Sequence, residues 1–140
     1  MPTGGVGVDR EPGPRCVLLI EDRPAIRSLL TSGLVDQGLQ VLAAADGEEA
    51  GRVLAETRPD LIVTDLLLPG PRGDGFIAGL RARPETREIP VIVISGLDGA
   101  DEISARSGAD ECIAKPFEFR YFLERVRFHL KRVARRSTSA

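Results

Sequence analysis

No stretch of the 140 residues strings together the roughly 18 apolar positions that a membrane span requires. The N-terminus also lacks the basic region and apolar core of a signal peptide, so a cytoplasmic chain is expected. Two cysteines, Cys16 and Cys112, are too few for a disulfide framework or a structural zinc site. Lysine is nearly missing: of 19 basic residues all but Lys115 and Lys131 are arginine. What is present is ordinary for a globular protein, with 42% hydrophobic and 29% charged residues. A chain of this length suits one domain with a real hydrophobic core. The net charge of −2 is unevenly spread, since seven Lys/Arg against two Glu after Pro116 leave −7 for residues 1–116. Any anionic concentration therefore lies ahead of the last helix.

Half of the first fourteen residues are Gly or Pro, and this segment reads as a flexible leader, with the folded unit over 15–134 and a short basic, polar tail at 135–140. From Arg15 onward, apolar runs alternate with stretches of helical period. The runs are CVLLI at 16–20, QVLAA at 40–44, LIVTD at 61–65, VIVIS at 91–95 and ECIA at 111–114. Lacking polar alternation, they suit strands buried on both faces of a parallel sheet. Pro24 opens the first helix, with Ile26, Leu29, Leu30 and Leu34 at helical spacing and Gly38 as its stop. Asp46 caps a second with Ala50, Val53 and Leu54 inside; a third spans about 74–83 and a short fourth about 99–107. The fifth carries the apolar stripe Phe119, Phe122, Leu123, Val126, Leu130, Val133. The expected fold is α/β, a doubly wound five-stranded parallel sheet with helices on both faces, flavodoxin-like, in strand order 2-1-3-4-5. Ligands in such sheets bind beyond the carboxyl ends of the strands.

At those ends stand Glu21 and Asp22, Asp65, Ser95, and Lys115 followed by Pro116. Three carboxylates at one sheet edge repel one another unless a cation neutralises them. Oxygen donors without His or Cys favour a hard ion, and a shallow site completed by water and phosphate suits Mg²⁺ better than Ca²⁺. Beside Mg²⁺ a carboxylate can attack a phosphoryl group to form an aspartyl phosphate, with a lysine ammonium sharing the developing charge. Ser95 can donate to a phosphoryl oxygen, and Gly96 leaves the approach open.

The strings VLLIEDRPAIRSLL, LIVTDLLLPG, VIVISG and GADECIAKPF, in this order and spacing, resemble the receiver domain of two-component response regulators over about Arg15 to Val133. The resemblance implies Asp65 as phosphoacceptor, Asp22 as a direct Mg²⁺ ligand and Glu21 as one acting through water. The backbone carbonyl of Leu67 would be a further ligand. Ser95 would be the hydroxyl that shifts toward the phosphoryl group, Lys115 its cationic partner, and the Lys115–Pro116 bond is often cis. Cys112 occupies the switch position where the family usually carries an aromatic residue. Gly73 and Gly75 compete for one expected turn position, and the segment between Ser95 and Lys115 is short, mostly at the cost of the fourth helix.

The implied function is a stand-alone, phosphorylation-activated switch, not an enzyme in its own right. It would take a phosphoryl group from a histidine kinase or histidine phosphotransfer protein and act through a downstream protein, with no nucleic acid expected. Within 140 residues no output domain is expected beside the receiver. The alternatives are a degenerate receiver that only docks, an aspartate-nucleophile phosphohydrolase, which would want an acid where Leu67 stands, and a flavodoxin-like cofactor binder, which would want a hydroxyl-rich loop where the chain reads EDRP. Cys112 reads as a small buried hydrophobe. His129, the single histidine, reads as helix packing or solvent-facing, and the basic end RVRFHLKRVARRSTSA as the solvated face of a terminal helix.

Overall fold

The computed structural model describes residues 15–65 and 74–139. The expected leader, Leu67 and Gly73 lie outside them. Five strands form one parallel sheet: β1 (Cys16–Ile20), β2 (Gln40–Ala44), β3 (Leu61–Thr64), β4 (Val91–Ser95) and β5 (Glu111–Ala114). Their spatial order is β2-β1-β3-β4-β5, the expected 2-1-3-4-5. The helices between and after them are α1 (Pro24–Asp36), α2 (Gly47–Glu56), α3 (Asp74–Ala82), α4 (Ala100–Ser107) and α5 (Phe119–Ser139).

Because successive strand residues point to opposite faces, the apolar runs divide into two cores. Val17, Leu19, Leu61, Val63, Ile92 and Ile94 pack with Leu30 and Leu34 of α1 and Phe122, Val126 and Leu130 of α5. Leu18, Ile20, Ile62, Val91 and Val93 face the other way, onto Ala50 of α2, Ile77 and Leu80 of α3 and Ala100 of α4. All residues of β1, β3 and β4 are buried, as a strand covered on both faces must be. Burial of this kind contributes on the order of 1.5–3 kcal/mol per large aliphatic side chain.

The helix boundaries follow local chemistry. Pro24 occupies the first turn of α1, and Gly38 turns the chain away in a left-handed conformation, φ +86°. The Asp46 carboxylate accepts from Glu49 N–H at 2.8 Å, while Glu49 Oε1 accepts from Ala45 N–H at 2.8 Å. This reciprocal arrangement satisfies amides that the first turn leaves without helical partners. The stretch 135–139 continues α5, since no Gly or Pro follows Pro116 to break it. Among the described residues no helix is long and apolar enough to cross a membrane.

Candidate functional site

Parallel pairing of β1 with β3 sets the acidic cluster. Ile20 is registered with Thr64, so the next residues of each strand emerge side by side. Asp65 N–H donates to the Ile20 carbonyl at 3.1 Å, and Glu21 N–H donates to the Ala44 carbonyl of β2 at 3.0 Å. On the other side, Ser95 pairs with Ala114, and Lys115 N–H donates to the Ser95 carbonyl at 3.0 Å. Glu21, Asp22, Asp65, Ser95 and Lys115 therefore sit at or just beyond the carboxyl ends of their strands, while Cys112 lies within β5. The Lys115–Pro116 bond is cis.

Carboxylate oxygens of Glu21, Asp22 and Asp65 lie within 4.8 Å of one another. Two unit charges at that separation repel by roughly 3.5 kcal/mol at an effective dielectric near 20. Glu21 has no exposed surface. Its Oε2 accepts from Arg23 N–H at 3.0 Å, and Arg27 donates to its carbonyl at 2.8 Å. Its Oε1 has no hydrogen-bond partner, and neither does Oδ1 of Asp65. The Lys115 ammonium stands 3.7 Å from Glu21 Oε1, beyond hydrogen-bonding distance.

Buried carboxylate oxygens without donors are costly unless something supplies positive charge. Burial, then the proximity of Glu21 and Asp22, pushes Asp65 up to about 7, against the opposing pull of Lys115. A cluster of hard oxygen donors with two orphaned oxygens fits a divalent cation of the Mg²⁺ type.

Ser95 is buried, and its Oγ accepts from Leu97 N–H at 3.1 Å, which leaves the hydroxyl hydrogen available as a donor. A Cβ built on Gly96 would come no nearer than 3.8 Å to Lys115 Cβ, ordinary contact, so among the described residues no atom demands glycine there. Cys112 is half-buried on β5, and burial together with the Asp101 carboxylate pushes its thiol up, away from the reactive thiolate.

Sequence reasoning left His129 without partners, and here the structure adds most. The imidazole is buried, with Nε2 at 2.8 Å from Glu111 Oε1 and Nδ1 at 2.7 Å from an Arg132 nitrogen. Glu111 also accepts from Arg125 at 2.7 Å. Although burial acts in the other direction, these hydrogen bonds hold the Glu111 carboxyl below its ordinary range. Arg81 of α3 donates to the carbonyls of Gly108, Arg87 and Ile89 and to Asp110 Oδ2, clamping both loops that lead into β4 and β5. The only signal for such contacts in the sequence is a carboxylate pair, Asp110 and Glu111, at the start of a strand.

The sequence profile of the response regulator receiver domain matches residues 17–127. Transcriptional regulatory protein AfsQ1 of Streptomyces coelicolor is 42% identical over 126 residues, covering 89% of this chain and 55% of that protein. The chain spans about half the length of the curated relatives it matches. Among solved structures, the signal receiver domain of a signal transduction histidine kinase from Syntrophus aciditrophicus superposes with a TM-score of 0.76 at 34% identity, covering 84% of this chain and 90% of that one. Response regulator TrrA of Thermotoga maritima, solved with Mg²⁺ and BeF, does so with a TM-score of 0.71 at 27% identity, covering 82% and 98%. With its two-sided parallel sheet and an acidic cluster and lysine at the strand ends, the chain belongs to the response regulator receiver domain family of two-component signalling.

Proposed function

We propose that this receiver takes a phosphoryl group onto Asp65 and relays the event through its own conformation. What carries the reading is the convergence of three carboxylates and Lys115, with two buried oxygens that no protein donor satisfies. Glu21, Asp22 and Asp65 would hold Mg²⁺, which supplies charge neutralisation for the carboxylates and for the oxygens of the transferring group. The backbone carbonyl of Leu67 would complete the set.

Asp65 must be ionised to attack, and in isolation its raised pKa leaves part of the population protonated at neutral pH. One Asp65 oxygen forms the new bond to phosphorus while the phosphorus–nitrogen bond of a donor phosphohistidine breaks, and the imidazole leaves with the electron pair. Lys115 places its ammonium against the added negative charge. The Ser95 hydroxyl turns to donate to a phosphoryl oxygen and draws the loop after β4 with it. Cys112, without an aromatic ring, leaves that movement to be read from the loops after β4 and β5.

The donor is a histidine kinase or histidine phosphotransfer protein, the partner class that receiver membership implies. An apolar groove of about 720 Å³ has Lys115 and Pro116 in its wall together with Ile26, Leu29, Phe117 and Phe119. It offers such a protein a surface beside the acceptor.

Incubation with acetyl phosphate and Mg²⁺ tests the reading by intact mass. The wild type gains one phosphoryl group, lost again in alkaline hydroxylamine as an acyl phosphate should be, and Asp65→Asn gains none. Uptake by Asp65→Asn removes the assignment, and failure of the wild type to react favours a receiver that only docks.

A further inference from the structure

We propose that His129 is a proton-sensitive latch that fastens the C-terminal half of α5 to the start of β5. The inference goes beyond the phosphoryl switch and rests on a different part of the molecule.

The chain's single histidine is 2% exposed, and both ring nitrogens are engaged. The partner of Nδ1 is an Arg132 guanidinium at 2.7 Å. A guanidinium donates and never accepts, so Nδ1 must carry the lone pair. The ring hydrogen therefore resides on Nε2 and is donated to Glu111 Oε1 at 2.8 Å. The contacts define one neutral tautomer that bridges β5 to the turn of α5 beyond it.

A proton taken from water onto the Nδ1 lone pair turns that acceptor into a donor facing a cation. The Arg132 hydrogen bond then breaks, while the Nε2 bond to Glu111 becomes charge-assisted and persists. Imidazole is the one side chain whose ordinary titration falls between pH 5 and 8.

The charged groups around the ring decide where Arg132 can go. Glu111 on β5 is already shared between His129 and Arg125 of α5. Asp110, just before β5, lies 3.9 Å from Arg132, but its Oδ2 accepts from Arg81 of α3 at 2.9 Å. Phe128 packs edge-on against the imidazole with ring centres 5.1 Å apart, and the Arg125 and Arg132 guanidinium carbons stand 4.5 and 5.9 Å from its ring centre. An imidazolium inserted here meets two arginines and one carboxylate that is already paired. Arg132, whose bond to the ring is the one that breaks and whose side chain already reaches solvent, is the group displaced, loosening the last turns of α5 while Glu111 keeps the ring in place.

Because β5 has Glu111 at one end and leads into Lys115 at the other, the latch acts on the strand and helix that flank the lysine of the acidic site. It does not touch the carboxylate cluster.

The test uses the full chain in an Asp65→Asn background, so that titration of the raised Asp65 carboxyl does not contribute. Nitrogen-15 spectra of the single imidazole at pH 8 should show the Nε2–H tautomer, a measurement that needs no substitution in the latch itself. Amide exchange over residues 131–137, corrected for chemical exchange, should show several-fold more frequent opening at pH 5.5 than at pH 8, with α2 amides unchanged. In Arg132→Met the same stretch should open readily at both pH values. An Nδ1–H tautomer at pH 8 overturns the latch, as does pH-independent protection in the chain with Arg132. Equal loss of protection in α2, or a pH response that survives Arg132→Met, overturns it too.

Discussion

The ammonium of Lys115 faces Oε1 of Glu21 from 3.7 Å, a cation held just outside hydrogen-bonding reach of a carboxylate with no exposed surface. The pair is complete in charge and incomplete in contact, which leaves the ammonium and Oε1 without a direct hydrogen bond to each other.

Replacement of that lysine should separate binding from response. Lys115→Ala keeps the three carboxylates and should retain Mg²⁺ affinity by calorimetry. It should lose most of the NMR shift changes that beryllofluoride induces in the loops after β4 and β5. Equal response in wild type and variant would show that the ammonium contributes nothing to switching.

The raised Asp65 carboxyl predicts an unusual pH dependence of the metal-free protein. With a folded value of about 7 against an ordinary 3.8, the folded state binds more protons than the unfolded state in between. Stability from this cluster is thus fully present below about pH 4 and declines as pH rises through 7. Asp65→Asn should raise the Tm at pH 8, with the gain shrinking toward pH 4. Mg²⁺ added to the wild type at pH 8 should raise it as well, through about 2.7 kcal/mol of added stability at a hundred times its Kd. A Tm indifferent to both changes would show that the carboxylates do not strain the fold.

Gly33 of α1 lies under the Phe119 ring, and a Cβ there would come within 2.5 Å of Phe119 Cζ. Gly33→Ala should destabilise by about 1–3 kcal/mol in urea titrations despite the better helix propensity of alanine. Phe119→Leu should recover part of that loss in the double variant, a coupling that independent sites would not show.

Glu111 behaves oppositely to Asp65. Its carboxyl is held below 4.5 by Arg125 and His129, so its contribution is present at neutral pH and is lost as pH falls through the folded value. Glu111→Gln should cost about 1–3 kcal/mol at pH 7, from hydrogen bonds to charged groups, and little in acid strong enough to protonate the folded carboxyl. Chemical denaturation at the two pH values reads the difference.

These pairs also mark the boundary between what composition and period reveal and what they do not. The strands were legible because burial on both faces leaves CVLLI, LIVT and VIVIS without polar interruption, and α2 because Asp46 stands at a capping position. Glu21, Asp22, Asp65, Ser95 and Lys115 were legible because each ends such a run. The depth of Glu21 was not: an acidic pair before a helix gives no sign which member turns inward, and it is the Arg23 amide and the Arg27 side chain that fix Glu21 there. Nor were the Arg81 clamp and the His129 contacts, since polar partners brought together by tertiary packing follow no period. His129 falls beside the apolar stripe of α5, and only the placement of β5 supplies its carboxylate.

The parallel register has a consequence for partly folded forms. The three carboxylates come from β1 and β3, neighbours in the middle of the sheet, whereas the lysine arrives on β5, an edge strand four residues long. Detachment of that edge would strip the acidic cluster of its built-in cation while leaving its oxygens in register. Such a species would still hold a divalent ion, and yet be unable to answer a phosphoryl group. The docking of one short strand would thereby tie ion binding to signalling.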